Sequence, residues 1–367
     1  MSFWQTIKKP ILGLAPMDGM TDAAFRYTLA ATAKPDIIFA EFINADGIIK
    51  GKERALRPLL YSEIERPILA QLFGVDPEMF YQSAKVICEL GFDGLDINMG
   101  CPAKTVTARG AGAGLIRNPA LAKEIFVATQ KGIQDWTHSG LEDFSEKNVI
   151  KISSFKSRLI GLGVKFGTQR KEIPLSIKTR IGFDTNIVED WVSTLMEVHP
   201  ANITVHGRLL KQMYAGEADW EAIKQAAVVV RSLETPSQPT TILGNGDVKN
   251  LPDVPELIAK AGVDGVLVGR ATLGNPWFFE RLGAVKIWNG ENSVDLERKI
   301  RTFDEVRDKL IEHAETFERI YGPTGFVSLR KHMAWYIRGF DNAVTLRVQL
   351  MQAKTVDDVK KILADAS

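Results

Sequence analysis

The stretch ILGLAPMDGMTD, residues 11–22, decides which α/β fold the sequence predicts. It begins with four residues that suit a short buried strand and continues into a polar turn. A doubly wound, dinucleotide-binding sheet would normally place a glycine-rich loop with the spacing GxGxxG directly after its first strand. Residues 15–22 lack that spacing. The turn therefore favours a different arrangement of strands and helices.

Seven more short apolar runs follow along the first three quarters of the chain. They begin at residues 37, 67, 94, 174, 202, 240 and 265 and read IIFAEF, PILAQLF, GLDINMG, PLSIKTR, NITVHGR, TTILGNG and GVLVGRA. Each run is too short for a helix and is mostly apolar on both faces, as buried parallel strands are. Helix-compatible segments such as residues 77–92 lie between them. Eight strand–helix units predict an α/β protein with a (β/α)8 TIM barrel, and a doubly wound sheet is the less favoured alternative.

The pattern changes near the end of the eighth unit. From about residue 296 the chain has long helical segments of balanced charge, such as LERKIRTFDEVRDKLIEHAETFERIYG. We therefore predict a barrel over residues 1–290 and an appended C-terminal helical domain over residues 291–367. Strand starts are 25 to 38 residues apart, except for 80 residues between the fourth and fifth strands. A basic insertion in the barrel is therefore expected at about residues 132–170.

The composition of the chain restricts its class only broadly. The 367 residues are 45% hydrophobic and 25% charged, which is ordinary for a soluble globular protein. Two cysteines cannot form a disulfide framework, so a reducing compartment is favoured. Neither a signal peptide nor an apolar run of membrane-spanning length is present, so we expect a cytoplasmic protein. We also expect a monomer with no metal site. The net charge of +1 argues neither for nor against nucleic acid.

Polar residues mark the C-terminal ends of all eight predicted strands. They are Met17, Glu41, Gln71, Asn98, Lys178, Arg180, His206, Arg208, Asn245 and Arg270. Catalytic groups of TIM barrels lie at this end of the strands. A single polar residue there would be read as a solvated strand end, but eight polar ends together predict an active-site mouth.

Two glycine-containing turns follow the seventh and eighth strands. They read GNGDV, residues 244–248, and GRATLGNPW, residues 269–277. Backbone amides at these two strand ends form the usual phosphate site of the barrel, and Arg270 could add a charge-assisted contact. Glycine also serves tight turns, which is an equally good explanation for each motif alone. The two together favour a phosphorylated cofactor.

Alternation along two strands places cations on one face. Lys178 shares a face with Arg180, and His206 shares a face with Arg208. Such cations can stabilise negative charge that develops on a flavin or an enolate. An internal salt bridge with Asp96 or Glu41 is the alternative explanation for Arg180.

The strand-end motifs occur in an order that resembles one family. They are APMDGMTDAAFR, AEFINADGI, AQLFG, DINMGCPAKTVTARGAGAGLI, IKTRIGF, VHGR, YAGEADW, GNGDV and GRATLGNPW. This set closely resembles the bacterial-type tRNA dihydrouridine synthases, which reduce uridine in tRNA with FMN and a nicotinamide donor. LRKHMAWY, residues 329–336, further resembles their helical domain. The resemblance covers nearly the whole chain except roughly residues 132–170.

The resemblance implies a role for each matching residue. Cys101, expected on an exposed, mobile turn after the fourth strand, would deliver a proton to carbon 5 of uracil after hydride from reduced flavin adds at carbon 6. Asn98 would recognise the uracil edge, and Arg180 would contact the substrate. Cofactor contacts are expected from Ala15, Pro16, Met17, Gln71, Lys178, His206, Asn245, Gly246, Asp247, Gly269 and Arg270. The other cysteine, Cys88, is interpreted as a core residue.

The helical domain and the insertion are both candidate tRNA contacts. Residues 319–347 carry five Lys or Arg against one acid, and Arg330 and Lys331 are predicted to bind tRNA. Residues 147–171 have seven Lys or Arg and no acid, so the insertion is either a solvated loop or an additional RNA contact. The loop after VHGR continues as LLKQ, which departs from the family and leaves its role open.

Two other functions remain possible on sequence grounds. One is a flavin reductase that acts on a free pyrimidine, against which the basic helical domain argues. The other is an RNA-binding protein that has lost its flavin, against which Cys101, Lys178 and His206 argue. The sequence leaves open which uridine is reduced and whether the donor is NADPH or NADH.

Overall fold

The computed structural model describes residues 2–213, 215–280 and 301–366. Eight parallel strands close into a barrel in chain order, and β8 pairs with β1. The strands are β1 Ile11–Leu14, β2 Ile37–Asn44, β3 Ile68–Phe73, β4 Gly94–Met99, β5 Leu175–Gly182, β6 Asn202–Leu209, β7 Thr241–Asn245 and β8 Gly265–Val268. The predicted TIM barrel is confirmed.

Fourteen α-helices lie within the described ranges. They are α1 Phe3–Thr6, α2 Ala23–Thr32, α3 Ala45–Lys50, α4 Pro77–Glu89, α5 Lys104–Thr107, α6 Pro119–Ser139, α7 Glu146–Gly161, α8 Val188–Met196, α9 Trp220–Leu233, α10 Val254–Ala261, α11 Phe303–Tyr321, α12 Arg330–Tyr336, α13 Ala343–Leu350 and α14 Val356–Ala364. Helices α11 to α14 form the appended C-terminal helical part. Its predicted start at residue 291 lies outside the described residues. No helix in the described ranges is long and apolar enough to cross a membrane.

Aspartate caps start several helices that follow strands. The side chain of Asp22 accepts from the backbone N–H of Phe25 at the start of α2. Asp219 caps α9 in the same way through Ala222. Such caps satisfy amide groups that have no partner in the first turn of a helix. The chain therefore leaves each of these strands by a short, defined turn, which fixes the geometry of the barrel mouth.

The barrel interior is apolar on one side and polar on the other. Ile11, Phe39 and Leu243 belong to a buried cluster that also contains Trp4 of α1. Because Trp4 packs against residues near the strand N-termini, α1 closes the end of the barrel opposite the mouth. Polar side chains on β4 to β6 are equally buried, and they are Asp96, Ser176, Asn202 and Thr204. The polar side of the interior leads towards the predicted site.

The basic insertion is a packed helix rather than a solvated loop. Ile152, Phe155 and Leu159 of α7 are buried. Lys151 donates to the carbonyl oxygens of Ile48 (2.7 Å) and Ile49 (3.0 Å) at the end of α3. The expectation of a solvated loop was wrong, because α7 has an apolar face that its period of 3.6 residues presents to the barrel wall.

The chain after α7 runs to the end of the barrel opposite the mouth. The backbone N–H of Lys165 donates to Glu63 (3.0 Å), and Arg66 joins Glu63 to Asp93. Asp93 directly precedes β4, so this cluster lies at the N-terminal ends of the strands. This position is on the face away from the strand ends that carry the polar ring, which disfavours a role for residues 165–171 in contacting RNA at the mouth.

A buried polar contact joins the helical part to the barrel. Nε2 of His332 in α12 lies 2.8 Å from Oδ2 of Asp22, between side chains that are nearly inaccessible to solvent. The hydroxyl of Tyr321 accepts from the backbone N–H of Ala23 (2.9 Å). These contacts attach α11 and α12 to the loop that follows β1. The helical part is therefore positioned beside the mouth of the barrel.

Candidate active site

The residues at the ends of β3 and β4 form a chain of hydrogen bonds. Gln71 donates through Nε2 to Oδ2 of Asp96 (2.7 Å) and accepts through Oε1 from Nδ2 of Asn98 (2.9 Å). Oδ1 of Asn98 accepts from the backbone N–H groups of Gly100 (3.0 Å) and Cys101 (2.8 Å). The structure brings the predicted residues Gln71, Asn98 and Cys101 together. Asp96, which was considered only as a salt-bridge partner, extends the chain into the barrel.

Cys101 is buried rather than exposed. Its side chain packs with Val106 and Ala111, and only 8% of the residue is accessible. Gly112 has φ of 58°, and a Cβ there would lie 2.9 Å from the carbonyl oxygen of Cys101. This close approach requires glycine and folds residues 106–112 back over the cysteine. Burial raises the pKa of the Cys101 thiol, so the thiol keeps its proton at neutral pH.

Lys178 lies on β5 beside this chain and is held by a residue of β7. Its Nζ donates to Oδ1 of Asn245 (2.9 Å), whose Nδ2 donates to the carbonyl oxygen of Leu267 (2.8 Å). Burial and the positive charge of Arg180 lower the pKa of Lys178 to about 8. Burial raises the pKa of Asp96 to about 7, against the hydrogen bond from Gln71 and the charge of Lys178. Lys178 and Asn245, both predicted to contact the cofactor, are therefore joined by a hydrogen bond. Lys178 is the one whose charge changes, near pH 8.

Arg180 holds the turn after β4 from the neighbouring strand. Its Nε donates to the carbonyl oxygen of Gly100 (2.7 Å), and its Nη1 donates to that of Leu209 (3.1 Å). The side chain is almost fully buried. Arg180 therefore lies beside Cys101, as a substrate-binding residue would, but the contacts with carbonyl groups give it a role in fixing the turn. Substrate binding by Arg180 stays a prediction.

The ends of β6 and β7 carry a second charged group. Asp247 accepts from Arg208 (2.6 Å), from Arg270 (3.1 Å) and from the backbone N–H of Ala218 (2.7 Å). Burial, together with the charges of Lys178 and other nearby cations, lowers the pKa of His206 far below its ordinary range. His206 is therefore neutral. The carboxylate of Asp247, a predicted cofactor contact, orients two arginines, Arg208 and Arg270. The sequence alone does not show these contacts.

Two glycines at these strand ends allow close packing. Gly246 has φ of 121°, and a Cβ there would approach Ala218 to 2.7 Å and the His206 ring to 2.9 Å. A Cβ on Gly269 would lie 3.2 Å from Sδ of Met17. The predicted cofactor residues of β1, β6, β7 and β8 are therefore gathered at one side of the mouth. Ala15 and Pro16 lie in the same β1 turn as Met17.

The two predicted tRNA contacts of the helical domain occupy different positions. Nε of Arg330 donates to the carbonyl oxygen of Ala353 (2.9 Å), so its guanidinium stabilises the helical domain internally. Lys331 reaches the β1–α2 loop, where a Cβ on Gly19 would lie 3.6 Å from its Nζ. Phosphate or substrate binding by these residues stays a prediction. Lys331 is nearer the mouth than Arg330.

Glu41 is a buried acid that the sequence identified as one of several polar strand ends and as a possible salt-bridge partner. Burial, followed by the negative charge of Asp22, raises its pKa to about 7. The charge of Lys331 acts in the opposite direction. The alternation of β2 could not show that Glu41 and Asp22 lie together, because their proximity depends on the path of the β1–α2 loop.

The fold and the site define the class of protein. A thiol, a lysine with a lowered pKa and several arginines converge at the C-terminal ends of eight parallel strands, where TIM-barrel enzymes carry out their chemistry. Among the described residues, no group of three or more His, Cys, Asp or Glu side chains is arranged to hold a metal ion. The arrangement is the active site of a TIM-barrel enzyme.

Comparison with known proteins gives the family. Residues 13–136 and 156–367 match the family model described as dihydrouridine synthase (Dus). The chain belongs to the dihydrouridine synthase family and is a flavin-dependent oxidoreductase. The unmatched residues 137–155 include the first part of α7.

Two relatives are similar over almost the whole chain. A probable tRNA-dihydrouridine synthase of Staphylococcus aureus (strain COL) is 30% identical over 99% of this chain and 94% of its own length. A probable tRNA-dihydrouridine synthase 2 of Bacillus subtilis (strain 168) is 31% identical over 99% and 96%. Among solved structures, DHODH from Eimeria tenella is 13% identical with a TM-score of 0.45, over 74% of this chain and 78% of that one. That similarity is too low to support a conclusion about function.

Proposed function

We propose that the protein is a tRNA-dihydrouridine synthase, which uses FMN and a nicotinamide donor to reduce the 5,6 double bond of uridine in tRNA. The observation that carries the proposal is the protonated thiol of Cys101, whose backbone N–H donates to Asn98 at a barrel mouth that also contains Lys178. The names of the two relatives support tRNA as the substrate. The protein acts in this proposal as a cytoplasmic monomer.

The residues at the mouth fit a flavin that carries a phosphate. Arg270 and Lys178 are cations, and burial keeps His206 neutral so that it can accept or donate a hydrogen bond. Gly246 and Gly269 lack the Cβ that would collide with Ala218, His206 and Met17, and the backbone amides of these two turns would bind the phosphate. Lys178, Gln71 and Asn245 would contact the ring system, and Arg270 and Gly269 would hold the phosphate. Ala15, Pro16, Met17, Gly246 and Asp247 complete the proposed cofactor site.

When bound, FMN supplies the hydride that adds to carbon 6 of uracil. Cys101 supplies the proton for carbon 5, which completes the two-electron reduction of the double bond. The charges of Arg180 and Lys178 favour the thiolate that remains, while burial favours the thiol, so Cys101 can release a proton and take one up again. One N–H of the Asn98 amide donates to Gln71, so its second N–H would donate to an oxygen of the uracil edge.

The helical part supports a macromolecular substrate. A uridine in folded tRNA must be extracted from its stack before it can enter a barrel, at a cost of roughly a few kcal/mol. The part that contains α11 to α14 lies beside the mouth, where Lys331 can contact a phosphate near the extracted nucleotide. Reduction of a free pyrimidine would require no such neighbour. No described feature favours the free pyrimidine.

The test is purification followed by two measurements. We expect a yellow protein whose released cofactor has the mass of FMN. With NADPH or NADH it should convert uridine to dihydrouridine in an unmodified tRNA transcript, measured by mass spectrometry of the digested RNA, and should leave free uracil unchanged. A protein without flavin that leaves the transcript unreduced would contradict the proposal.

A further inference from the structure

The amide of Asn98 can hold the Cys101 turn in only one orientation. Its oxygen accepts from two backbone N–H groups, those of Gly100 and Cys101. A carboxamide oxygen has two lone pairs, so both are used. The flipped amide would place its NH₂ group against two other donors. The position of the turn therefore depends on which way the amide of Asn98 faces.

Gln71 and Asp96 fix that orientation from below. The NH₂ group of Asn98 donates to Oε1 of Gln71, and the NH₂ group of Gln71 donates to Oδ2 of Asp96. Because an oxygen at residue 96 accepts from the NH₂ group of Gln71, the amide of Gln71 must turn its own oxygen towards Asn98. Asp96 therefore sets the polarity of both amides. All three side chains are buried, so water does not compete for these bonds.

The carboxylate of Asp96 makes few other interactions that would stabilise it in the barrel. It is fully buried, and its Oδ1 has no hydrogen-bond partner among the residues described here. A buried carboxylate with one donor costs free energy that an apolar residue would not cost. Ser176 lies opposite Asp96 in register on β5 and is also buried, but it does not take part in the chain. Packing of the barrel alone gives no reason for an acid at residue 96.

We propose that Asp96 is a positioning residue for the reaction, because it orients Gln71 and Asn98 and so holds the turn that carries Cys101. The inference rests on the proposed function only in giving the Cys101 thiol a substrate. Among the described residues, Asp96 makes no hydrogen bond with Cys101. It acts through the side-chain amides of Gln71 on β3 and Asn98 on β4, and Asn98 in turn binds the turn after β4.

The experiment measures the rate at which a maleimide alkylates Cys101 in the full-length protein after bound flavin has been removed from wild type and variants alike, with the alkylated residue located by peptide mass spectrometry. Asp96→Leu removes the acceptor, and Gln71→Met removes the connecting amide. Each should release the turn and speed alkylation of Cys101 about five- to tenfold, as expected for one lost hydrogen bond. The double variant should be no faster than either single variant, because both cut the same chain.

Two variants serve as matched controls. Asp96→Asn retains an acceptor and should keep alkylation close to the wild-type rate. Ser176→Ala removes a buried hydroxyl from the same level of the barrel and should also leave the rate unchanged. Cys88 in α4, the other cysteine of the chain, is buried and should stay unreactive in every folded variant. Should Asp96→Leu fail to fold by this criterion, Gln71→Met decides the question.

The outcome also separates this inference from the proposed function. Thiol alkylation requires neither flavin nor tRNA, so a wild-type protein that reduces no uridine overturns the function and leaves the positioning result standing. If the function holds, Asp96→Leu should lower kcat about tenfold with little change in KM for tRNA. Wild-type alkylation in both Asp96→Leu and Gln71→Met, or equal acceleration in Ser176→Ala, would overturn the positioning role.

Discussion

The Nζ atom of Lys178 on β5 lies 2.9 Å from Oδ1 of Asn245 on β7, so this hydrogen bond passes over the end of β6. The strand that it crosses carries His206, which burial and nearby cations keep neutral. Of Lys178, Asn245 and His206, Lys178 is therefore the residue whose charge changes at a pH that experiments can reach. Its pKa is lowered to about 8 by burial and by Arg180.

This relationship predicts how flavin binding depends on pH. Below about pH 8 Lys178 is positively charged and can stabilise an anionic cofactor, and above it the charge is lost. The affinity of the flavin-free protein for FMN should therefore fall as pH rises from 7 to 9.5, measured by quenching of flavin fluorescence. In Lys178→Gln the affinity should be lower at pH 7 and nearly independent of pH over this range. Arg270→Gln, the matched control, should bind more weakly at every pH but keep the dependence.

Substitution of Cys101 should separate the two halves of the reaction. Cys101→Ala should reduce the rate of uridine reduction by about two to four orders of magnitude, the usual effect of removing a positioned acid. Flavin content and reduction of the flavin by the nicotinamide donor should persist, since the role proposed for the thiol is to deliver a proton to uracil. Stopped-flow absorbance can follow both halves. Cys88→Ala removes a buried thiol from α4 and should retain uridine reduction. Wild-type turnover by Cys101→Ala would refute the acid role.

The contact between His332 and Asp22 predicts a large effect on stability. His332→Leu leaves the Asp22 carboxylate buried without its partner, and breaking a buried pair in this way costs about 3–5 kcal/mol. The midpoint of urea unfolding should fall accordingly. The double variant Asp22→Asn/His332→Leu should recover part of the loss, because Asn can still cap α2 and leaves no buried charge. An unchanged midpoint in His332→Leu would show that the pair contributes little.

The raised pKa of Asp96 predicts the pH dependence of stability. Burial raises this pKa from 3.8 to about 7, so the stabilisation from its protonation is complete below about pH 4 and is lost as pH rises through 7. Asp96→Asn removes that dependence. Relative to wild type, the variant should be more stable at pH 8 than at pH 5, by on the order of 3 kcal/mol. Unfolding curves at the two pH values measure this difference. An equal effect at both would show that Asp96 does not change its protonation state between pH 5 and pH 8.

The two basic residues of α12 should behave differently. Lys331→Ala should weaken tRNA binding and make the slope of log affinity against log salt shallower by about one unit, as the loss of one phosphate contact does. Arg330→Ala should instead lower the melting temperature, because its guanidinium bonds the carbonyl groups of Ala353 and Gln352. Filter binding at several salt concentrations and thermal melts distinguish the two effects. A salt slope unchanged in Lys331→Ala would remove Lys331 from the RNA contact.

The barrel could be predicted from sequence because its signal is local. Each buried parallel strand is a short apolar run, and the polar residue at its end follows within one or two positions, as in GLDINMG at residues 94–100. The same locality located Asn98, Lys178 and His206 at one end of the barrel. Which residues share a face of one strand can be predicted without knowing which strands are neighbours in the barrel.

The contacts that hold the site depend on residues far apart in the chain. His332 meets Asp22 across 310 positions, and Lys178 meets Asn245 across 67. No pattern within one segment indicates such pairs. The burial of Cys101 likewise follows from the positive φ of Gly112, which folds residues 106–112 back over the thiol. The prediction of an exposed turn failed because a Gly-Cys-Pro sequence shows where a strand ends but not what covers it.

The sealed contact between the helical part and the barrel gives the protein a natural spectroscopic label. The chain has five histidines, and two of them, His313 and His332, lie buried with ring centroids 5.1 Å apart at this contact. His332 also stacks on Phe25 of α2, whose ring current shifts nearby resonances. Imidazole signals in a nitrogen-15 NMR spectrum would therefore report whether the helical part stays in contact with the barrel when RNA binds. No probe need be attached.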